Sequence, residues 1–166
     1  MAGRPRGMTV LSYLTALTAL CIAMGYLDAV TSFYLHGMLQ VAHEGGKYAR
    51  GSVEDMSPRV RVLEQTRQAA VVLVLLTIGI VAGRNGLQQA GTFVFALGGW
   101  GLMRYAAIRT ITDWPGSLSD ADVVLYLPRA IHAPVWMVMI VALGLSVLGV
   151  ALIRGGAVAM RRARAG

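Results

Sequence analysis

The sequence predicts an all-α protein: a four-helix transmembrane bundle with both termini cytoplasmic and a short interfacial helix before the last span. Three observations predict it. The chain is 56% hydrophobic with a mean hydropathy of +0.61, and only 14% of its 166 residues are charged, below the share a soluble domain carries. Its apolar residues fall into four blocks, near 8–42, 68–83, 90–112 and 134–153, and a span needs about 20 mostly apolar residues. Its charges divide by side. The N-terminus, the 84–89 turn and the C-terminal tail hold Arg4, Arg6, Arg84, Arg154, Arg161, Arg162 and Arg164 with no acid, whereas all 8 acids belong to the other side and its helix ends. That is the positive-inside pattern, and it accounts for the net charge of +7 without nucleic acid.

The whole chain, 1–166, reads as a single transmembrane domain with helices near 8–39, 60–83, 89–111 and 133–154. Helix one follows Arg4 and Arg6 but runs too long for a signal peptide, whose apolar core stops after about 7–15 residues. Thirty-two helical residues, 8–39, span about 48 Å against a hydrocarbon core of about 30 Å, so this helix tilts, bends near Gly25 or projects. Cys21 is the one cysteine, which allows no internal disulfide and reads as a small buried hydrophobe. A loop with Gly45, Gly46 and Pro58 as breakers leads to helix two. GRNGLQQ is a tight turn into helix three, whose GGWG at 98–101 permits close approach by a neighbour.

The stretch DWPGSLSDADVVLYLP, 113–128, is more elaborate than a plain connection. Ser117 with Asp120, and Ser119 with Asp122, have capping spacing, which predicts a short interfacial helix from Asp120 to Leu127, stopped by Pro128. Pro134 suits the first turn of helix four. Trp114, Tyr126 and Trp136 suit an aromatic interfacial belt.

The ionisable residues gather toward the outer end: Asp28 and His36 on helix one, Glu64 and Arg67 on helix two, Arg104 and Arg109 on helix three, then Asp113, Asp120, Asp122 and His132. Asp28, Ser32 and His36, spaced by four, share one helix face, and Glu64 and Arg67 share another. Arg104 lies roughly 21 Å into helix three, below the outer surface, where an unpaired charge costs at least about 2.5–3.5 kcal/mol. Asp28 and Glu64 are its natural partners. The cluster reads in two ways: as a structural Asp28–Arg104–Glu64 network fixing helix register, or as a ligand or metal site open to the outer face.

For a metal, His132, His36, Asp28 and Glu64 are the candidate ligands, with Asp120 and Asp122 beside them, but no HExxH-type spacing is present. His36 and His132 lie at similar depth on different helices, as a bis-histidine haem requires. His43 sits in a loop beside Glu44. Ser32, Ser117 and Ser119 lack a GxSxG elbow, and one four-helix unit is small for a transporter.

The segments GYLDAVTSFYLHGML, LEQTRQAAVVLVLL, GGWGLMRYAAIRTITDWPGSLSDADVVLYLP and APVW together resemble a family of small bacterial four-helix integral membrane proteins with a WPxSLxxxD segment before the last helix. The shared positions are Asp28, Tyr34, Glu64, Arg67, Trp100, Trp114, Pro115, Ser117, Asp120, Asp122, Pro128 and Pro134. Asp28 stands where the family carries Glu, and His36 where it carries Arg. The resemblance implies the fold and an ordered outer face, and carries no activity with it. Two functions follow as expectations for a multi-pass protein of a bacterial inner membrane. One is a non-catalytic subunit binding a partner or small ligand at its outer face, among lipid and other subunits of a membrane complex. The other is a metal- or haem-binding redox subunit or membrane enzyme using the same cluster.

Overall fold

The computed structural model describes residues 9–40, 58–125, 131–163 and 165. Four helices make up most of it: α1 (Val10–Gln40), α2 (Pro58–Ala82), α3 (Gly86–Thr112) and α4 (Val135–Arg162). A two-stranded antiparallel hairpin, β1 (Ala121–Leu125) and β2 (Ile131–Pro134), lies between α3 and α4. The chain therefore has a hairpin end and a tail end, the latter holding the starts of α1 and α3 and the finish of α4.

Local chemistry sets these boundaries. Pro58 opens α2, where its missing N–H is an orphan in any case. Asn85 caps α3: its Oδ1 accepts from the Gln88 N–H at 2.8 Å, and its Nδ2 donates to the Gly156 carbonyl of α4 at 3.0 Å. Asp113 ends α3 in the left-handed region at φ 56°, its N–H donating to the Arg109 carbonyl, a conformation that Asp tolerates better than most residues.

α3 is the central helix, with extensive contacts to each of the other three, while α1 and α4 touch each other little. Its approach to them is close. A Cβ on Gly98 would stand 2.4 Å from the Ala142 carbonyl oxygen, one on Gly149 2.5 Å from the Phe95 nitrogen, and one on Gly25 2.8 Å from the Arg104 nitrogen. Small residues at such crossings are how helices pack where water does not drive them together. Cys21, Leu75 and Ala96 form a buried core with Trp100 and Phe93 against it.

The segments Val10–Tyr34, Arg61–Ala82 and Val135–Arg162 are long and apolar enough to cross a membrane. α3 is long enough at 27 residues, but its composition sets it apart from these three. Gln88, Gln89, Arg104 and several glycines lower its hydropathy. The reason is its position: its neighbours cover it, so little of its surface need be strongly apolar. Among the described residues the large exposed apolar side chains lie on α1, α2 and α4, apart from Leu118 in the turn and Ile131 on β2, with Leu87 the sole representative of α3.

The hairpin corrects the expected interfacial helix at 120–127. Val123 and Val124 are β-branched and favour a strand, and the segment from Ile131 to Pro134 supplies the partner, with Asp122 opposite Ala133 and Val123 opposite His132. The serine–aspartate spacing is real but serves a turn. Ser117 N–H donates to Asp120 Oδ2 at 3.0 Å, and Ser119 N–H to Ser117 Oγ at 3.2 Å. Pro128 and Tyr126 lie outside the described residues.

The turn also explains why this connection is elaborate. α4 has Pro134 at its cap position and no side-chain cap bond. Its first N–H groups are instead taken by the loop: Val135 donates to the Asp120 carbonyl and Trp136 to the Leu118 carbonyl, each at 3.0 Å. Orphan donors at a helix start need such partners.

Candidate functional site at the hairpin end

The close approach at Gly25 brings α1 onto the Arg104 turn of α3. Asp28, three residues on, thereby faces Arg104, and its Oδ2 lies 2.9 Å from Arg104 Nε. The contact is an ion pair rather than an aligned hydrogen bond, since neither atom meets hydrogen-bond geometry. The other oxygen of Asp28 is held by Arg67 Nη1 of α2. Arg67 in turn forks onto Glu64, one turn earlier on its own helix, through Nη2–Oε1 at 2.5 Å and Nε–Oε2 at 2.9 Å. Bidentate pairs of this kind add geometric specificity to attraction.

The chain of charges continues to the hairpin. Arg104 Nη1 lies 3.5 Å from Asp122 Oδ2, and the Tyr105 hydroxyl donates to that same oxygen at 2.5 Å. Strand alternation turns Asp122 inward beside buried Ala133, while His132 on β2 faces out and is exposed. The sequence Glu64–Arg67–Asp28–Arg104–Asp122 therefore ties three helices and a strand together. The residues are deeply buried: Glu64 and Asp122 are 1% exposed, Asp28 5% and Arg104 6%. Ser32, one turn beyond Asp28, is also buried.

Among the described residues the linked side chains are three carboxylates and two guanidiniums, with the Tyr105 hydroxyl as an uncharged donor to Asp122. Lone ions at such depth are costly. A buried network lowers that cost only when its members satisfy one another. It can form in one helix register alone, because each link comes from a different element.

The expected triad is redrawn by this geometry. Asp28 does pair with Arg104, but Glu64 belongs to Arg67, which bridges it to Asp28. Asp113 is exposed at the end of α3, where its carbonyl accepts from Arg109 Nη1. Asp120 serves the turn. His36 lies on α1 with its side chain outside the described part, and His43 lies outside the described residues. Among the described residues no three of His, Cys, Asp and Glu are grouped to hold a metal ion. Of the candidate metal ligands, Asp28 and Glu64 both lie against Arg67, and the hairpin register puts His132 on the opposite face from Asp122.

Two contributors had weak signals. Tyr105 follows Arg104 directly, and an aromatic there reads as ordinary core. Asp122 sits in Ala-Asp-Val-Val-Leu, where an inward acid becomes visible only if the segment is read as a strand.

Beside the network a cavity of about 330 Å³ opens between α3, the turn and α4. Tyr105, Pro115, Leu118, Val135 and Met139 line it, with Arg109. Arg109 Nη1 donates to the Pro115 carbonyl at 2.8 Å, and Trp114, joined to Pro115 by a cis bond, packs on Tyr105 with ring centroids 6.3 Å apart. Tyr105 thus belongs to both features: its hydroxyl holds Asp122 and its ring walls the cavity.

No known protein family, no curated protein and no solved structure matches the chain.

Proposed function

We propose that the chain is a small integral membrane protein of the bacterial inner membrane, spanning it four times with both termini cytoplasmic, and that its outer, hairpin end is a non-catalytic binding surface for a partner subunit or small ligand. One observation carries this reading. Each carboxylate of the buried network lies against a guanidinium, so the charges hold one another, and the structure they fix walls a mainly apolar cavity through Tyr105. An apolar pocket with few polar groups at its wall is the usual form of a binding site. The seven tail-side arginines with no acid support the orientation. α3 is the fourth span, enclosed by the other three. The resemblance to small bacterial four-helix membrane proteins supports the membrane-spanning fold and the ordered outer face.

The test is an absorption spectrum with elemental analysis on detergent-purified protein. A colourless, metal-free, monodisperse sample is expected. A Soret band or near-stoichiometric metal overturns the non-catalytic reading in favour of a redox or metal-dependent one.

A further inference from the structure

A second cavity, of about 300 Å³, lies at the tail end between α1, α2, α3 and α4, far along the bundle from the ionic network. Arg84 and Arg161 line it with Tyr13, Gln88, Ile153 and Met160. No acid lies nearby in sequence on any of the elements that meet there: residues 1–27, 68–112 and 135–166 hold none. Neither arginine has a carboxylate partner among the described residues.

Tyr13 and Gln88 make part of the wall polar. Tyr13 Oη and Thr92 Oγ1 share a hydrogen bond of 2.6 Å. Gln88 is 92% buried, being 8% exposed; its Oε1 accepts from the Arg84 N–H at 3.1 Å, and its amide nitrogen has no acceptor among the described residues. Val10, Ala82, Ala157 and Met160 give the rest of the wall apolar surface.

We propose that this cavity binds the phosphate of an anionic lipid headgroup, a reading that rests on the chain spanning a membrane. Two guanidiniums supply planar, charge-assisted donors suited to phosphate oxygens, the Gln88 amide supplies a third donor, and basic pockets between spans on the cytoplasmic side favour such headgroups. Val10, Ala82, Ala157 and Met160 in the wall suit the first carbons of the acyl chains. A free phosphate has the same headgroup chemistry but makes no use of this apolar part of the wall.

The experiment uses the full chain in detergent, with thermal unfolding followed during titration with phosphatidylglycerol, phosphatidylcholine or inorganic phosphate. Phosphatidylglycerol should raise Tm saturably, and phosphatidylcholine should not. The Arg84→Gln/Arg161→Gln variant should bind phosphatidylglycerol at least about tenfold more weakly. Arg154→Gln/Arg162→Gln removes the same charge from the same end but leaves the cavity lining intact, and should bind as the parent does. Should the first variant not fold, Met160→Trp fills the cavity without changing charge and should weaken binding equally. Equal weakening by both arginine pairs reduces the effect to diffuse charge and overturns the proposal. So does the absence of any phosphatidylglycerol shift. A shift by inorganic phosphate as large as that by phosphatidylglycerol assigns the cavity to free phosphate and overturns the lipid. Failure of any of these leaves membrane insertion itself intact, because insertion is read separately by labelling from each side.

Discussion

Asp28 Oδ2 on α1 lies 2.9 Å from Arg104 Nε on α3, and the other oxygen of the same carboxylate is held by Arg67 on α2. One aspartate thus joins three helices. Its two guanidiniums are not equivalent, because Arg67 also holds Glu64 by a fork, whereas Arg104 shares Asp122 with Tyr105. Arg67→Leu is therefore expected to cost about 3–5 kcal/mol, the cost of breaking a buried pair, and more than Arg104→Leu. Denaturant unfolding in detergent gives the order. Equal losses would remove Arg67 from the centre of the network.

The pair can also be tested by a double-mutant cycle. Asp28→Leu/Arg104→Leu should recover part of the summed single losses, with a coupling of about 0.5–3 kcal/mol. Full recovery is not expected, since Arg67 and Asp122 each lose a contact. Strictly additive losses would mean that the two side chains are not partners.

Tyr105→Phe keeps the ring against Trp114 and in the cavity wall but deletes the donor to Asp122. A hydrogen bond to a charged group is worth about 1.5–3 kcal/mol, so a fall in Tm with the fold retained is expected. An unchanged Tm would show that Arg104 alone suffices for Asp122.

Close helix approach makes a sharper prediction. A Cβ at Gly98 meets the Ala142 oxygen at 2.4 Å and Ser146 Oγ at 2.6 Å, while at Gly144 nothing lies within 4 Å. Gly98→Ala should cost about 1–3 kcal/mol through overpacking. Gly144→Ala should be neutral or stabilising by up to about 1 kcal/mol, from lower chain entropy. Thermal unfolding of the two variants side by side decides it.

Orientation is tested with single cysteines. Cys21 is 2% exposed and should not react with an impermeant maleimide. Thr9→Cys and Ala165→Cys should label from the cytoplasmic side and Ser119→Cys from the opposite side. Labelling of Ser119→Cys and Ala165→Cys from one side would remove the proposed topology.

Much of the architecture was legible in the residues themselves. Four helices were, because long apolar blocks and breakers such as Gly83 and Pro58 are properties of contiguous sequence. So was the gathering of ionisable groups toward one end, because depth along a helix follows from counting at a fixed rise. The 120–127 segment was not. Serine–aspartate spacing fits a helix cap and a turn equally well, and the choice fell to Ile131–Pro134, which offered a strand partner.

What the sequence by itself determined is therefore the helical, apolar character of the chain and the one-sided placement of its charge, since both depend on near neighbours and composition. Only the tertiary structure decided who pairs with whom. It made α3 the enclosed helix, gave Glu64 to Arg67 rather than Arg104, turned Asp122 inward and His132 outward, and placed Arg84 and Arg161 around one cavity. These are contacts between residues distant in the chain. The crossings at Gly25, Gly98 and Gly149 fix them, because a backbone approach under 3 Å to a would-be Cβ allows one seating of the helices and excludes its neighbours.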